Sequence, residues 1–246
     1  MPSTIVGPRT EKTLHCEKRA WIKRPEKGRS DITTFLHSCV AFLLPTVLKP
    51  TSSAGGMAGL LAEAERLKLF SAKSIAVPEI LEINENSIIL SDCGPHLRHV
   101  LKTTVDQKEV LQLLEKATSN LALLHSMDLV HGRPHLKDMT LDAEERICLL
   151  DLEEDPLKVM GLNAAQARDI WLFLSSCAEF CEDPSKDLKA LLSLYLKSAK
   201  SDVDLELRNI ARSGRPFRKM ITFFRASNLG RDVFGAYWAT KVLETL

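Results

Sequence analysis

Two acids constrain this chain more than any other feature. Asp138 closes the segment His131-Gly-Arg-Pro-His-Leu-Lys-Asp138, and thirteen residues later the run Ile147-Cys-Leu-Leu ends on Asp151, followed by Leu152-Glu-Glu154. The first segment is a loop by composition. The second is short, apolar and strand-like, and it ends in an acid.

The rest of the chain falls into a mixed first part and a helical second part. Thr13 to Lys23 fits two strands joined by a tight turn, and the charged stretch Arg24 to Arg29 is turn-prone. Ile32 to Leu44 reads as a helix ended by Pro45. Pro50 to Gly56 is a loop, and Leu60, Leu61, Ala64 and Leu67 carry helical spacing up to Phe70. Val77 to Leu81 and Ser87 to Leu90 are strand-like, with a turn signal in Asn84-Glu-Asn86. Val110 to Ser126 is a long amphipathic helix, and nearly everything beyond Asn163 is helical in pattern. The expected class is α+β: a small mixed lobe over residues 1–94, a junction at Asp92–Gly94, and a helical lobe over 95–246. A cleft between two such lobes is the expected place for a ligand.

Bulk properties narrow the partners. Thirty-three basic residues face thirty-two acidic ones, which argues against a general nucleic-acid binder. The six cysteines (Cys16, Cys39, Cys93, Cys148, Cys177, Cys181) are scattered. Cys177 and Cys181 share a helix face, but nothing nearby completes a tetrahedral metal site, so they read as buried thiols in a reducing compartment. Residues 1–10 have no signal-peptide core, and the apolar run Phe35 to Leu48 is too short to span a bilayer. The expected location is cytoplasmic, at most peripheral to the inner membrane.

The loop and strand together resemble the protein-kinase-like superfamily, most closely the bacterial lipopolysaccharide core kinases. That family's pattern is HGD, four residues and Asn, then a hydrophobic strand ending in Asp. Here Arg133 stands where the catalytic Asp belongs and Asp138 where the Asn belongs. Ala20-Trp-Ile-Lys23 resembles the strand-borne lysine motif, Glu63-Ala-Glu-Arg-Leu67 the helix that pairs with it, and Val77 to Leu81 the strand after that helix. Ile89-Leu-Ser-Asp-Cys-Gly94 resembles the hinge, and Arg168-Asp169-Ile-Trp-Leu the helix that braces the catalytic loop.

The resemblance implies an ATP- and Mg²⁺-dependent phosphotransferase acting on a hydroxyl, with a sugar of an envelope glycolipid as acceptor. It implies Lys23 on the α- and β-phosphates and Glu63 as its ion-pair partner, with Glu65 the alternative. Asp92 and Cys93 would flank the adenine. Asp138 and Asp151 would hold Mg²⁺, with Glu153 as a third carboxylate. Arg133 would stabilise phosphate charge, His131 would support the loop through backbone hydrogen bonds, His135 would be exposed and inert, and Asp169 would be structural.

The departures shape the alternatives. No GxGxxG precedes Lys23, so residues Thr13–Glu17 or the Ala54-Gly-Gly56 loop would have to cover the phosphates. The long Lys23–Glu63 interval requires an inserted helix at Ile32–Leu44. Losing a general base typically costs ~10²–10⁴ in rate. Arg133 therefore supports a rival reading, a pseudokinase that acts as a regulatory scaffold. Transfer of the nucleotide from an inverted ATP is a third possibility. The tail, Arg208 to Lys241, sets Arg212, Arg215, Arg218, Lys219, Arg225 and Arg231 among Phe217, Phe223, Phe224, Phe234, Tyr237 and Trp238. That composition suits an anionic membrane surface or glycolipid. The plain alternative is that the aromatics pack on the helical part while the basic groups are solvated.

Overall fold

A computed structural model describes residues 7–25, 55–199, 201–223 and 230–246. The expected helix at Ile32–Leu44 and Cys39 lie outside the described residues. The protein is of the mixed α+β class, with a small antiparallel sheet at one end and a larger helical region.

Strands β1 (Thr10–His15) and β2 (Lys18–Lys23) form a hairpin. Its two-residue turn, Cys16-Glu17, has positive φ at both positions (47° and 65°), the geometry that matches the twist of the flanking strands. Strand β4 (Ser87–Ser91) pairs with β2 and sets Lys23 opposite Ile88; β3 (Ile80–Asn84) closes the order β1-β2-β4-β3. The strand expected at Val77–Leu81 begins later, at Ile80. Pro78 has no N–H to give a ladder, so Val77 and Pro78 approach the sheet as extended chain, and pairing starts where Ser91 N–H donates to the Glu79 carbonyl at 2.9 Å.

Helix α1 (Gly56–Ala72) starts earlier than the apolar spacing indicates and buries Leu60, Glu63, Ala64, Leu67 and Phe70. Among these, Glu63 is the one charged residue, and it is 1% exposed. A buried carboxylate on the apolar stripe of a helix needs a cation in reach.

The helical region opens with α2 (Leu97–Thr103) and α3 (Gln107–Ser126), the latter capped by the Asp106 side chain, which accepts from Lys108 N–H at 2.9 Å. A short hairpin follows, β5 (Met139–Leu141) with β6 (Ile147–Leu149), and then α4 (Leu162–Cys177), α5 (Pro184–Leu196), α6 (Ser201–Phe223) and α7 (Arg231–Leu243). Phe70, Ile88 and Leu90 of the sheet end share one buried cluster with Leu114, Leu121, Met139, Leu149, Phe173 and Tyr195. Sheet and helices therefore bury a common apolar surface, and the cleft walls are fixed relative to each other.

Two glycines let the backbone turn tightly beside the cleft. Gly94 (φ 89°) follows β4, where an added Cβ would collide with the Leu141 carbonyl. Gly132 (φ 101°) sits against the Glu154 carbonyl in the same way. Both combine close approach with a backbone conformation that L side chains avoid.

In the tail, Phe234 and Trp238 are partly buried against the core, Trp171 donates from Nε1 to Thr240 Oγ1 at 3.2 Å, and Arg218 pairs with Glu244 at 2.8 Å. The side chains of Phe217 and Phe223, and residues Phe224 and Arg225, lie outside the described residues. Among the described residues, no helix is long and apolar enough to cross a membrane.

Candidate functional site

Between the sheet and the helical region lies a cavity of about 290 Å³. Its walls include Arg9 and Thr10, Trp21 and Lys23 of β2, Glu63 and Leu67 of α1, Pro78, the chain after β4 with Asp92, Cys93 and Gly94, and Lys137, Asp138 and Thr140 with Leu150 and Asp151. Lys23, Glu63, Asp138 and Asp151, well separated in sequence, line this one cavity.

Lys23 is the hub. It is 7% exposed, and Nζ donates to Glu63 at 2.8 Å and to Asp151 Oδ1 at 2.9 Å, with Glu153 Oε1 at 3.0 Å. Burial alone would lower the lysine pKa, but the three carboxylates outweigh it and hold the ammonium above its ordinary range. Glu65, the alternative partner, is on the exposed face and pairs with Lys68 at 2.8 Å. Helical periodicity explains the choice, because Glu63 shares the buried face with Leu60 and Leu67 and Glu65 does not.

Asp151 follows β6 at φ 57°, an uncommon conformation for a non-glycine residue. Both of its oxygens are engaged: Oδ1 by Lys23, and Oδ2 by Arg133 Nη2 at 2.7 Å. Burial would raise its pKa, but Lys23, Arg133 and Arg9 prevail and hold the carboxyl at about 2. Arg133 also faces Asp138, Nε to Oδ2 at 3.7 Å, and Glu154, Nη1 to Oε1 at 3.4 Å. Arg133 Nε and Asp138 Oδ2 are both buried and make no hydrogen bond. Asp138 is pushed up to about 6, chiefly by burial, with Asp151 adding to it and Lys137, Arg133 and Lys23 opposing.

The loop carrying Arg133 is fixed from behind. Asp169, on α4 and wholly buried, accepts from the N–H of His131 at 2.6 Å and of Gly132 at 3.0 Å, with His125 Nε2 at 3.4 Å. Burial opposes its ionisation, yet His125, His131 and Arg168 hold it below the usual carboxylate range. His131 has no exposed surface; its Nδ1 accepts from Arg133 N–H at 3.3 Å, and burial pulls its pKa down to about 4. The ring is a neutral support for the loop.

Other expected residues fall as follows. Asp92 lines the cavity and is tied by Trp21 Nε1 at 3.4 Å and Gly94 N–H at 3.1 Å. Cys93 lines it beside the partly buried turn. Glu153 is held by Lys23 and Arg9. His135, expected exposed, is half-buried, and burial with Arg133 and Lys137 nearby depresses it to about 4. It faces a second cavity of about 450 Å³ on the far side of the loop, lined by Arg133, Lys137, Trp171 and Arg231 among others.

Three contributors escaped sequence reasoning. Arg9 pairs with Glu153 from the chain just before β1. Thr140 lines the main cavity with a buried Oγ1 that has no hydrogen-bond partner. Arg66 of α1 reaches across to the carbonyls of Val130, His131, Leu152 and Glu154. Arg9 and Thr140 carry no pattern signal. Arg66 had one, since it lies one turn from Glu63 on the same helix.

Mg²⁺ takes oxygen ligands at about 2.0–2.1 Å in an octahedral shell. The residues expected to hold it do not fit that demand in this arrangement. Both Asp151 oxygens are hydrogen-bonded, Lys23 and Arg9 share Glu153 Oε1, and Arg133 lies between Asp138 and Asp151. Among the described residues, no three His, Cys, Asp or Glu side chains are grouped to hold a metal ion.

No known protein-family model matches the chain. It is similar to an uncharacterized protein of Haemophilus influenzae, 27% identical over 183 residues, covering 74% of this chain and 67% of that protein.

Proposed function

We propose that the chain has a two-lobed, protein-kinase-like fold and that the cavity between its lobes binds ATP. The observation that carries this reading is the buried Lys23–Glu63 pair at 2.8 Å, whose ammonium also reaches Asp151 at 2.9 Å. Such a lysine is a preorganised cation with its position fixed from two sides, the arrangement that phosphate recognition rewards. Leu67, Pro78, Leu90 and Leu150 give the rest of the cavity an apolar lining suited to a nucleobase against the Asp92–Gly94 turn. On this reading the phosphates run toward Lys23.

The activity is phosphoryl transfer to a hydroxyl, with an envelope-glycolipid sugar as the acceptor implied by the resemblance. The second cavity, beside Arg133 and Lys137, is the acceptor's approach. With no carboxylate base at position 133, turnover is slow by ~10²–10⁴. A specific contact favours the other reading, a nucleotide-binding scaffold without turnover: Arg133 is locked to Asp151 at 2.7 Å where a base would work.

Thermal shift with ATP, paired with an assay of phosphate release, tests both. Stabilisation with release supports the transferase, and stabilisation without release supports the scaffold. Absence of stabilisation in the wild type removes nucleotide binding and both readings with it, and full stabilisation in both Lys23→Ala and Asp151→Asn refutes the roles given to these two residues.

A further inference from the structure

Arg133 occupies the space between Asp138 and Asp151, two acids that line the main cavity, and its own side chain borders the second cavity. Its Nη2 is 2.7 Å from Asp151 Oδ2, its Nε 3.7 Å from Asp138 Oδ2 and its Nη1 3.4 Å from Glu154 Oε1. Lys23 takes the other Asp151 oxygen at 2.9 Å. We infer that Arg133 is a built-in replacement for a divalent cation, so that this cleft binds the phosphates of a nucleotide without Mg²⁺. The inference rests on the nucleotide reading above.

Three physical points carry it. A guanidinium cannot give up its proton under these conditions, so the positive charge at this position is permanent. A dication bridging Asp138 and Asp151 would be pressed against that charge, and its approach would first have to break the 2.7 Å bond. Asp169 fixes the backbone of His131 and Gly132 just before Arg133, so Arg133 could leave the two acids only by turning its side chain into the second cavity that it lines.

The unused valences point the same way. Arg133 Nε is a buried donor with no acceptor. Asp138 is 8% exposed, with Oδ2 lacking a donor in the cavity wall. The two atoms face each other across 3.7 Å, so the carboxylate oxygen that a divalent cation would take already has the guanidinium in front of it. Lys23 lines the main cavity and Arg133 the second, with Asp151 holding both cations in place between them.

Isothermal titration of the full chain with ATP, once in excess EDTA and once in millimolar MgCl₂, tests this. The wild type is expected to bind ATP with affinities within about threefold in the two buffers. Arg133→Gln, which clears the guanidinium charge and leaves Asp138, Asp151 and Glu154 facing one another, is expected to lose about tenfold or more in EDTA. It should regain affinity on adding Mg²⁺. Wild-type binding that is tenfold or more tighter with Mg²⁺ overturns the inference and leaves the nucleotide reading standing. No ATP binding by the wild type in either buffer overturns both. Should Arg133→Gln fail to fold, the wild-type comparison alone decides.

Discussion

Asp169→Ala removes the acceptor behind the loop that carries Arg133. Asp169 is 0% exposed and takes backbone N–H bonds from His131 at 2.6 Å and Gly132 at 3.0 Å, with His125 Nε2 at 3.4 Å. Hydrogen bonds to a charged group are worth ~1.5–3 kcal/mol each, so losing the two backbone bonds costs about 3–6 kcal/mol. The freed N–H groups lie on buried residues, so water does not easily compensate. For a chain of this length the loss corresponds to a fall in Tm on the order of 10 °C. Urea unfolding followed by tryptophan fluorescence measures it, since Trp171 lies two positions along the same helix. The pH dependence adds a second check. The folded pKa of Asp169 is depressed, so its contribution is present above the unfolded carboxylate value near 4 and fades as pH falls through the lower folded value. The stability gap between wild type and Asp169→Ala should therefore narrow in acid. A loss below about 1 kcal/mol at pH 7, or a gap that stays constant down to the lowest pH at which both fold, refutes the reasoning.

Lys23→Met leaves Glu63 buried and uncompensated and should cost about 3–5 kcal/mol, whereas the double change Lys23→Met/Glu63→Leu should cost clearly less than the sum of the singles. Denaturant midpoints of the four proteins in the cycle give the answer, and additive losses would contradict a coupled pair. Asp138→Asn should stabilise the protein at pH 7.5. The folded pKa of about 6 lies above the unfolded value, so the wild type binds a proton in the folded state between about pH 4 and 6 and loses up to about 3 kcal/mol as pH rises through that window. Melting both proteins from pH 4 to 8 should show a Tm advantage for Asp138→Asn that grows with pH. A less stable Asp138→Asn at pH 7.5 would mean that Arg133 and Lys23 outweigh the burial of this carboxyl.

What the sequence made legible was the larger elements, though not the short α2 and β5, and the residues Lys23, Glu63, Asp138 and Asp151, which line one cavity. Helical spacing set Glu63 on the buried face of α1 and left Glu65 outside. What it concealed was side-chain direction. Arg133 could be placed on the loop, but spacing carries no information on whether its guanidinium faces a ligand or turns onto Asp151. The open acids expected for Mg²⁺ and the closed ion-pair network observed share one residue pattern. Strand β3 starts late because Pro78 interrupts an otherwise apolar run, and a loop position alone carries no sign that α4 lies beside His135. Arg9 enters through tertiary contact alone.

The reach of Arg66 has a mechanical consequence. One guanidinium on α1 holds carbonyls from two separate loops, Val130 and His131 on one, Leu152 and Glu154 on the other. Sliding α1 along those loops would break several of these bonds together, so one side chain ties the helix that carries Glu63 both to the loop that carries Arg133 and to the segment that follows Asp151. A single substitution at position 66 would release both loops at once.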